Sequence, residues 1–297
     1  MDSITLKAYA KINLGLDVLR KRQDGYHDVC MIMQTIDLYD TISIEKSKSL
    51  KPLEEGSHNQ IQIKTNHPQL QASQSNLIYR TAALFLETFQ IKTCINITLD
   101  KRIPIAAGLA GGSADAAATL IGLNQLFKTK LSQEELMKLG VKIGADVPYC
   151  IMKGTALSEG IGEILTPLPP MPDCCILLVK PDISVSTKFV YEHLKLDDSI
   201  SHPNIKSMIP ALEQKNLENL AKDMSNILET VTIREYPEIK DIKEAMVGFG
   251  ALSSLMSGSG STVFGIFPDS KQAEAAYEFF IQSKWGKETY LTKPYWP

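Results

Sequence analysis

The sequence predicts an α+β protein of two domains, and three observations carry that reading. The chain has 297 residues, enough for two domains or one large one. Both strand and helix patterns recur along it, the second half reading β-α-α-β-α-β. Pro167, Pro169, Pro170 and Pro172 fall together, a breaker cluster that divides the chain into residues 1–167 and 168–297.

At the N-terminus Ile4, Leu6, Ala8, Ala10, Ile12, Leu14, Leu16 and Val18 all occupy even positions, the period of a strand. The opposite face carries Thr5, Lys7, Tyr9, Lys11, Asn13 and Asp17. An edge over solvent has this face, and so does a strand that floors a site. What Lys11 and Asn13 touch separates the two. Asp24-Gly25 marks a turn. Strands are expected near Ile36–Glu45 and Ile61–Lys64, with residues 46–60 as a polar surface loop. Asn76–Phe89 has helical spacing, and Ile95, Ile97 and Leu99 alternate as a strand. An alanine-rich helix runs to about Phe127. Ser132-Gln-Glu-Glu135 opens another with a capping box, and Gly144 is expected as its C′ residue.

Beyond the prolines, Cys175–Val179 reads as a buried strand, and Ser186/Thr187 cap a short helix. Helices are expected over residues 215–230 and 234–247, a strand at Thr262–Phe267 after the turn Gly258-Ser-Gly260-Ser, a helix at Lys271–Gln282 and a last strand at Glu288–Leu291. The second half thus reads as an α/β sandwich.

With 44% hydrophobic and 22% charged residues the composition is that of a soluble globular enzyme. A net charge of −3 argues against a nucleic-acid partner, which wants a basic face. The short Arg20-Lys21-Arg22 run is expected as a solvated loop rather than a polyanion patch. Five cysteines, an odd number without a C-x-x-C, suit a reducing interior, hence the cytoplasm, rather than disulfides or zinc. The histidines show no metal spacing, so no protein metal site is expected. No signal peptide and no apolar run long enough to span a membrane is read.

The segment Pro104-Ile-Ala-Ala-Gly108-Leu109-Ala110-Gly111-Gly112-Ser113 feeds the alanine-rich helix. Glycine costs about 1 kcal/mol more than alanine inside a helix, so all three glycines are expected outside it, with Ser113 near its start. A helix start presents unpaired N–H groups and a partial positive charge, and glycine lets a ligand approach closely. Together these suit phosphate. An ordinary turn before a core helix is the other reading of the loop on its own. It matches neither the Walker nor the Rossmann fingerprint.

Four segments then coincide in order: Ala10-Lys11-Ile-Asn13-Leu, Asp24-Gly25-Tyr26-His27, the glycine loop, and Gly144-Ala-Asp146-Val-Pro148. Gly258-Ser-Gly260-Ser follows near the C-terminus. The set closely resembles the GHMP kinase superfamily over nearly the whole chain. Within it, the Asp-Gly-Tyr-His segment resembles the branch acting on 4-diphosphocytidyl-2-C-methyl-D-erythritol; the Gly-Glu-His type segment of galactokinases and mevalonate kinases is absent. The resemblance implies a two-domain GHMP kinase fold whose N-terminal domain holds a left-handed βαβ crossover, against the usual hand. It implies transfer of the ATP γ-phosphoryl group to the substrate 2-hydroxyl, a step of non-mevalonate isoprenoid synthesis. Kinases acting on homoserine or a mevalonate derivative, and a nucleotide-binding regulator without catalysis, are the alternatives.

The resemblance also assigns residues. Asp146 is the general base, although local sequence alone favours a helix N-cap before Pro148. Lys11 is its cationic partner, where strand pattern alone allows a solvated lysine. Gly108, Gly111, Gly112 and Ser113 hold ATP phosphates through backbone N–H groups, with Pro104, Leu109 and Ala110 in the same ATP-binding segment; several relatives have glycine where this chain has Ala110. Asn76 lies near adenine in similar proteins and is locally a good N-cap. By position alone, Lys101 just before the loop is offered to phosphate or adenosine, or to solvent, and Asp115 to the helix dipole. Tyr26 and His27 take the cytosine, Tyr191 stacks on it, Thr187 faces the same cleft one turn away, and Asn13 meets the substrate diphosphate or hydroxyls. Mg²⁺ is expected through ATP oxygens and water. The oligomeric state is left open.

Overall fold

A computed structural model describes residues 2–47, 60–70, 75–196 and 201–297. The loop expected over residues 46–60 lies almost wholly outside the described residues. By internal contacts the chain falls into two compact units. The first comprises Met1–Ala10, Leu38–Ile103 and Ala110–Met152; the second comprises Lys11–Asp37, Pro104–Leu109 and Lys153–Pro297. This division differs from a single boundary at 167/168, because two long strands, β1 (Ser3–Lys21) and β2 (His27–Lys46), each contribute residues to both units.

In the first unit, β2 continues into β3 (Gln60–Thr65), α1 (Leu77–Thr88), β4 (Cys94–Asp100), α2 (Gly111–Phe127), α3 (Gln133–Val141) and α4 (Val147–Met152). Strand β4 pairs antiparallel with β2 through Thr41↔Asp100 to Lys46↔Ile95, and parallel with β3. β3, α1 and β4 therefore form a βαβ unit. Helix α2 is the centre of this unit: residues 114–120 are buried without interruption. Gly122 lets it sit on the sheet, since a Cβ there would lie 2.8 Å from Ile44 and 2.9 Å from Leu6. The capping box of α3 forms as expected, with Ser132 and Glu135 bonding reciprocally. The expected stop at Gly144 does not hold. The helix ends at Val141, and Gly144 is absent from the glycines with positive φ. Burial of Ile143 as the chain turns toward α4, rather than a left-handed glycine, accompanies the exit.

The second unit adds β5 (Thr155–Glu159), β6 (Ile164–Pro167), β7 (Cys175–Lys180), α5 (Thr187–His193), α6 (Met208–Glu213), α7 (Leu217–Asp223), β8 (Ser225–Asn226), α8 (Glu229–Glu235), α9 (Glu238–Gly248), β9 (Ser253–Met256), β10 (Val263–Phe267), α10 (Ser270–Gln282) and β11 (Glu288–Thr292). Strands β11, β7, β10 and β9 form an antiparallel sheet in that order, with α9 and α10 packed on it through Ile242, Met246, Ala273, Ala276 and Phe280. β5 pairs with the early part of β2 (Met31–Gln34) and with β6. β2 thus begins at His27, nine residues before the expected Ile36. The helix expected over residues 215–230 is two helices, α7 and α8, split by β8. The split has a long-range cause: the Asn226 side chain donates to the carbonyls of Met256 and Gly258, both at 2.8 Å.

Candidate active site

The glycine loop departs from expectation in one respect: Gly111 and Gly112 are the first residues of α2, not outside it, while Ser113, the third, lies near the helix start as expected. First-turn N–H groups have no intrahelical acceptor, so a glycine there forfeits little. Packing also demands it: a Cβ on Gly111 would meet Ile103 and Lys101 Nζ at 2.9 Å, and one on Gly112 would meet Leu77 at 3.2 Å. The residue before the helix is Ala110, in the left-handed region with φ 55°, and no side chain caps the helix. A left-handed L-residue costs roughly 1–2 kcal/mol, and Ala106 shares the conformation with φ 52°. In the second unit, Gly108 has φ 74°, and a Cβ on it would lie 2.0 Å from the Ser257 carbonyl oxygen. Pro104 is buried and Leu109 is 1% exposed, so the loop's side chains anchor it and its backbone is what it offers.

Lys101 is engaged inward. Its ammonium meets Asp40 Oδ2 at 2.5 Å and Asp115 Oδ2 at 2.8 Å, and all three side chains are buried. Asp40 Oδ1 also accepts the backbone N–H groups of Arg102 and Ile103. Asp115 Oδ1, by contrast, has no hydrogen-bond partner among the described residues. Burial pushes the Asp115 carboxyl up to about 8, against the pull of the Lys101 ammonium. The structure thus gives Lys101 two carboxyl partners where its position in the sequence offers it to phosphate, adenosine or solvent, and Asp115 pairs with it beyond the first turn of α2. Asn76 caps α1, its Oδ1 accepting the Ile78 N–H at 2.9 Å.

Lys11 is not a solvated lysine: it is 5% exposed and Asn13 is fully buried. The Lys11 ammonium donates to Asn13 Oδ1 at 2.6 Å and to the Gly108 carbonyl at 3.0 Å. The polar face of β1 is therefore a floor from Lys11 onward, and Asn13 spends its acceptor on Lys11. In the first unit, half-buried Asp146 precedes α4, its carbonyl accepting the Cys150 N–H at 3.0 Å, with Pro148 inside the first turn.

Tyr26, His27, Thr187 and Tyr191 come together in the second unit, lining a cavity of about 540 Å³. The His27 and Tyr191 rings are 5.0 Å apart at 44°. Tyr26 is 60% exposed, the most open of the three rings. Burial, and to a lesser degree the nearby Lys21, holds the His27 imidazole below its ordinary pKa. Thr187 Oγ1 lies 2.8 Å from Ser259 Oγ, which joins α5 to the C-terminal glycine turn. Sequence reasoning missed Ile161 and Lys188 in this wall; Lys188 follows Thr187 on α5 and was within reach of the motif, whereas Ile161 arrives on the unforeseen β5–β6 turn. Among the described residues no three His, Cys, Asp or Glu side chains converge as metal ligands, and no helix is long and apolar enough to cross a membrane.

A glycine loop entering a helix start, a buried lysine against that loop and a separate aromatic pocket describe a small-molecule kinase. Residues 76–154 match the GHMP kinase N-terminal domain and residues 208–287 the GHMP kinase C-terminal domain, so the chain belongs to the GHMP kinase family. It is 56% identical to the 4-diphosphocytidyl-2-C-methyl-D-erythritol kinase of Lachnoclostridium phytofermentans, over 99% of this chain and 98% of that protein. It is 50% identical to the enzyme of the same name from Lachnospira eligens over 100% of both. A crystal structure of 4-(cytidine 5'-diphospho)-2C-methyl-D-erythritol kinase superposes with a TM-score of 0.81 at 30% identity, covering 99% of this chain and 100% of that one.

Proposed function

We propose that this chain transfers the γ-phosphoryl group of ATP to the 2-hydroxyl of 4-diphosphocytidyl-2-C-methyl-D-erythritol, in the cytoplasm, as a step of non-mevalonate isoprenoid synthesis. Full-length relatives of that name support the reading. The observation that carries it in the structure is the pocket of Tyr26, His27 and Tyr191. A pyrimidine is flat and stacks on aromatic rings. Its cytosine edge carries both a donor and acceptors. A neutral imidazole carries one of each, and His27 is held toward that state.

In this reading the hydroxyl oxygen attacks the γ-phosphorus, the bond to the departing ADP oxygen breaks, and Asp146 accepts the hydroxyl proton. The Lys11 ammonium stabilises charge developing on the transferred group. The N–H groups of Gly111, Gly112 and Ser113, with Gly108, Leu109 and Ala110 before them, hold the phosphates, and Asn76 borders the adenine. Mg²⁺ would arrive on ATP, held through phosphate and water oxygens, and would neutralise phosphate charge there; we assign no protein side chain to it. The functional division we retain is an ATP-binding part, 1–167, and a part contributing to substrate, 168–297.

A coupled ADP-release assay tests this. The cytidyl substrate should turn over, and homoserine and the mevalonate phosphates should not; preferred turnover of either would replace the assignment. Asp146→Asn should lower kcat roughly 10²- to 10⁴-fold with the fold intact, and an unchanged kcat removes Asp146 from the base role.

A further inference from the structure

We infer that Ser257 is a positioning residue for phosphoryl transfer, acting through the Gly108 carbonyl on the Lys11 ammonium. The inference rests on the reading of Lys11 as the cation of the reaction. The Gly108 carbonyl accepts two side-chain donors, Lys11 Nζ at 3.0 Å and Ser257 Oγ at 3.0 Å. A carbonyl oxygen has two lone-pair sites, so these two donors fill it. Lysine carries its charge on a flexible four-carbon stem. Its place is set by its acceptors, which among the described residues are Asn13 Oδ1 and this one carbonyl. Gly108 has no side chain to fix its own peptide, and its positive φ keeps that peptide in a conformation other residues resist.

Ser257 is equipped to do the fixing. It is fully buried. Its N–H donates to the Thr262 carbonyl at 2.9 Å, and its carbonyl accepts the Gly260 N–H at 3.0 Å. The carbonyls on either side of it, those of Met256 and Gly258, are both held by the Asn226 amide, itself 4% exposed. The Met256 N–H is held by Glu229 at 2.7 Å. The segment also faces the lysine directly: a Cβ on Gly258 would stand 3.5 Å from both Lys11 Nζ and Asn13 Oδ1. Ser257 thus carries the rigidity of the β8–α8 corner to the acceptor that aims Lys11.

A double-mutant cycle tests this on the full chain, with kcat read by single-turnover ADP formation and KM by steady state. Ser257→Ala should lower kcat roughly 10- to 100-fold, the scale of a small misplacement of a reacting group, with KM for ATP and for the cytidyl substrate within about twofold. Ser257→Thr, which keeps the hydroxyl, should recover most of the rate. In a Lys11→Met background Ser257→Ala should have no further effect. If Ser257→Ala lowers the rate by the same factor with and without Lys11, Ser257 does not act through Lys11 and the proposal falls while the Lys11 reading stands. If Lys11→Met alone leaves kcat unchanged, the Lys11 reading itself falls. Should Ser257→Ala lose its circular-dichroism signature, Ser257→Cys, with a weak donor of similar size, takes its place in the same cycle under the same two criteria.

Discussion

Two lysines border the glycine loop in this chain, and they are buried in opposite company. Lys101, in the first unit, meets two carboxylates at 2.5 and 2.8 Å. Lys11, in the second, meets an amide oxygen and a backbone carbonyl, both neutral. A buried charge is tolerated when paired. The first lysine has its compensation built in and serves the framework. It ties the end of β4 to α2 and dictates that residue 111 has no side chain. The second has, among the described residues of its own unit, two neutral hydrogen-bond acceptors, an arrangement in keeping with the proposed role beside phosphate. Burial alone therefore says little about a lysine's role; the charge of its acceptors says more.

The sharpest way to break this comparison is to neutralise each lysine in turn. Lys101→Met leaves two buried carboxyl groups without their cation and should destabilise the fold by about 3–5 kcal/mol in urea unfolding. Lys11→Met should leave the midpoint near that of the parent while lowering kcat by roughly 10²-fold or more. The reverse pattern would exchange the two roles. Next in size is the pocket. Tyr26→Ala should raise KM for the cytidyl substrate by roughly 10- to 100-fold, the worth of about 1–3 kcal/mol of stacking, and leave KM for ATP unchanged; equal effects on both argue against cytosine stacking.

Asp115 sharpens the framework half. Its folded pKa, about 8, lies above the unfolded value, so the native state holds a proton that the unfolded chain releases. Its contribution is full below about pH 4 and declines as pH rises to about 8, by at most about 1.4 kcal/mol per pH unit. Asp115→Asn removes that slope. Unfolding free energies measured from pH 5 to 8 should therefore show the variant gaining on the parent as pH rises, and parallel curves would refute the titration. The smallest effect concerns Ala110, held at φ 55°. Ala110→Gly relieves a left-handed alanine but adds freedom to the unfolded chain, for a net gain of about 0.5–1 kcal/mol; a loss in Tm would show that the methyl group packs usefully.

Much of this was legible in the sequence because the signals were local. The even-numbered apolar run of β1, the Asn76 cap, the capping box at Ser132 and Glu135, and the Thr187–Tyr191 spacing each need only a few neighbouring residues, and each has its counterpart in the structure. The break between α7 and α8 was not legible, since it depends on carbonyls 30 and 32 residues from Asn226. Helix propensity could not place Gly111 inside α2, because its space is taken by Lys101 and Ile103 from the connection after β4.

The sequence by itself determined the family, the α+β alternation and the residue types available for phosphate, proton and pyrimidine, since motifs and periodicities are carried by adjacent positions. Only the tertiary structure decided what each charge faces. Lys101 finds Asp40 across 61 residues, and Ser257 finds Gly108 across 149. Such pairs depend on which strands lie side by side and which loop is pinned to which. The electrostatic character of a buried group is set by those neighbours in space, not by its neighbours in the chain.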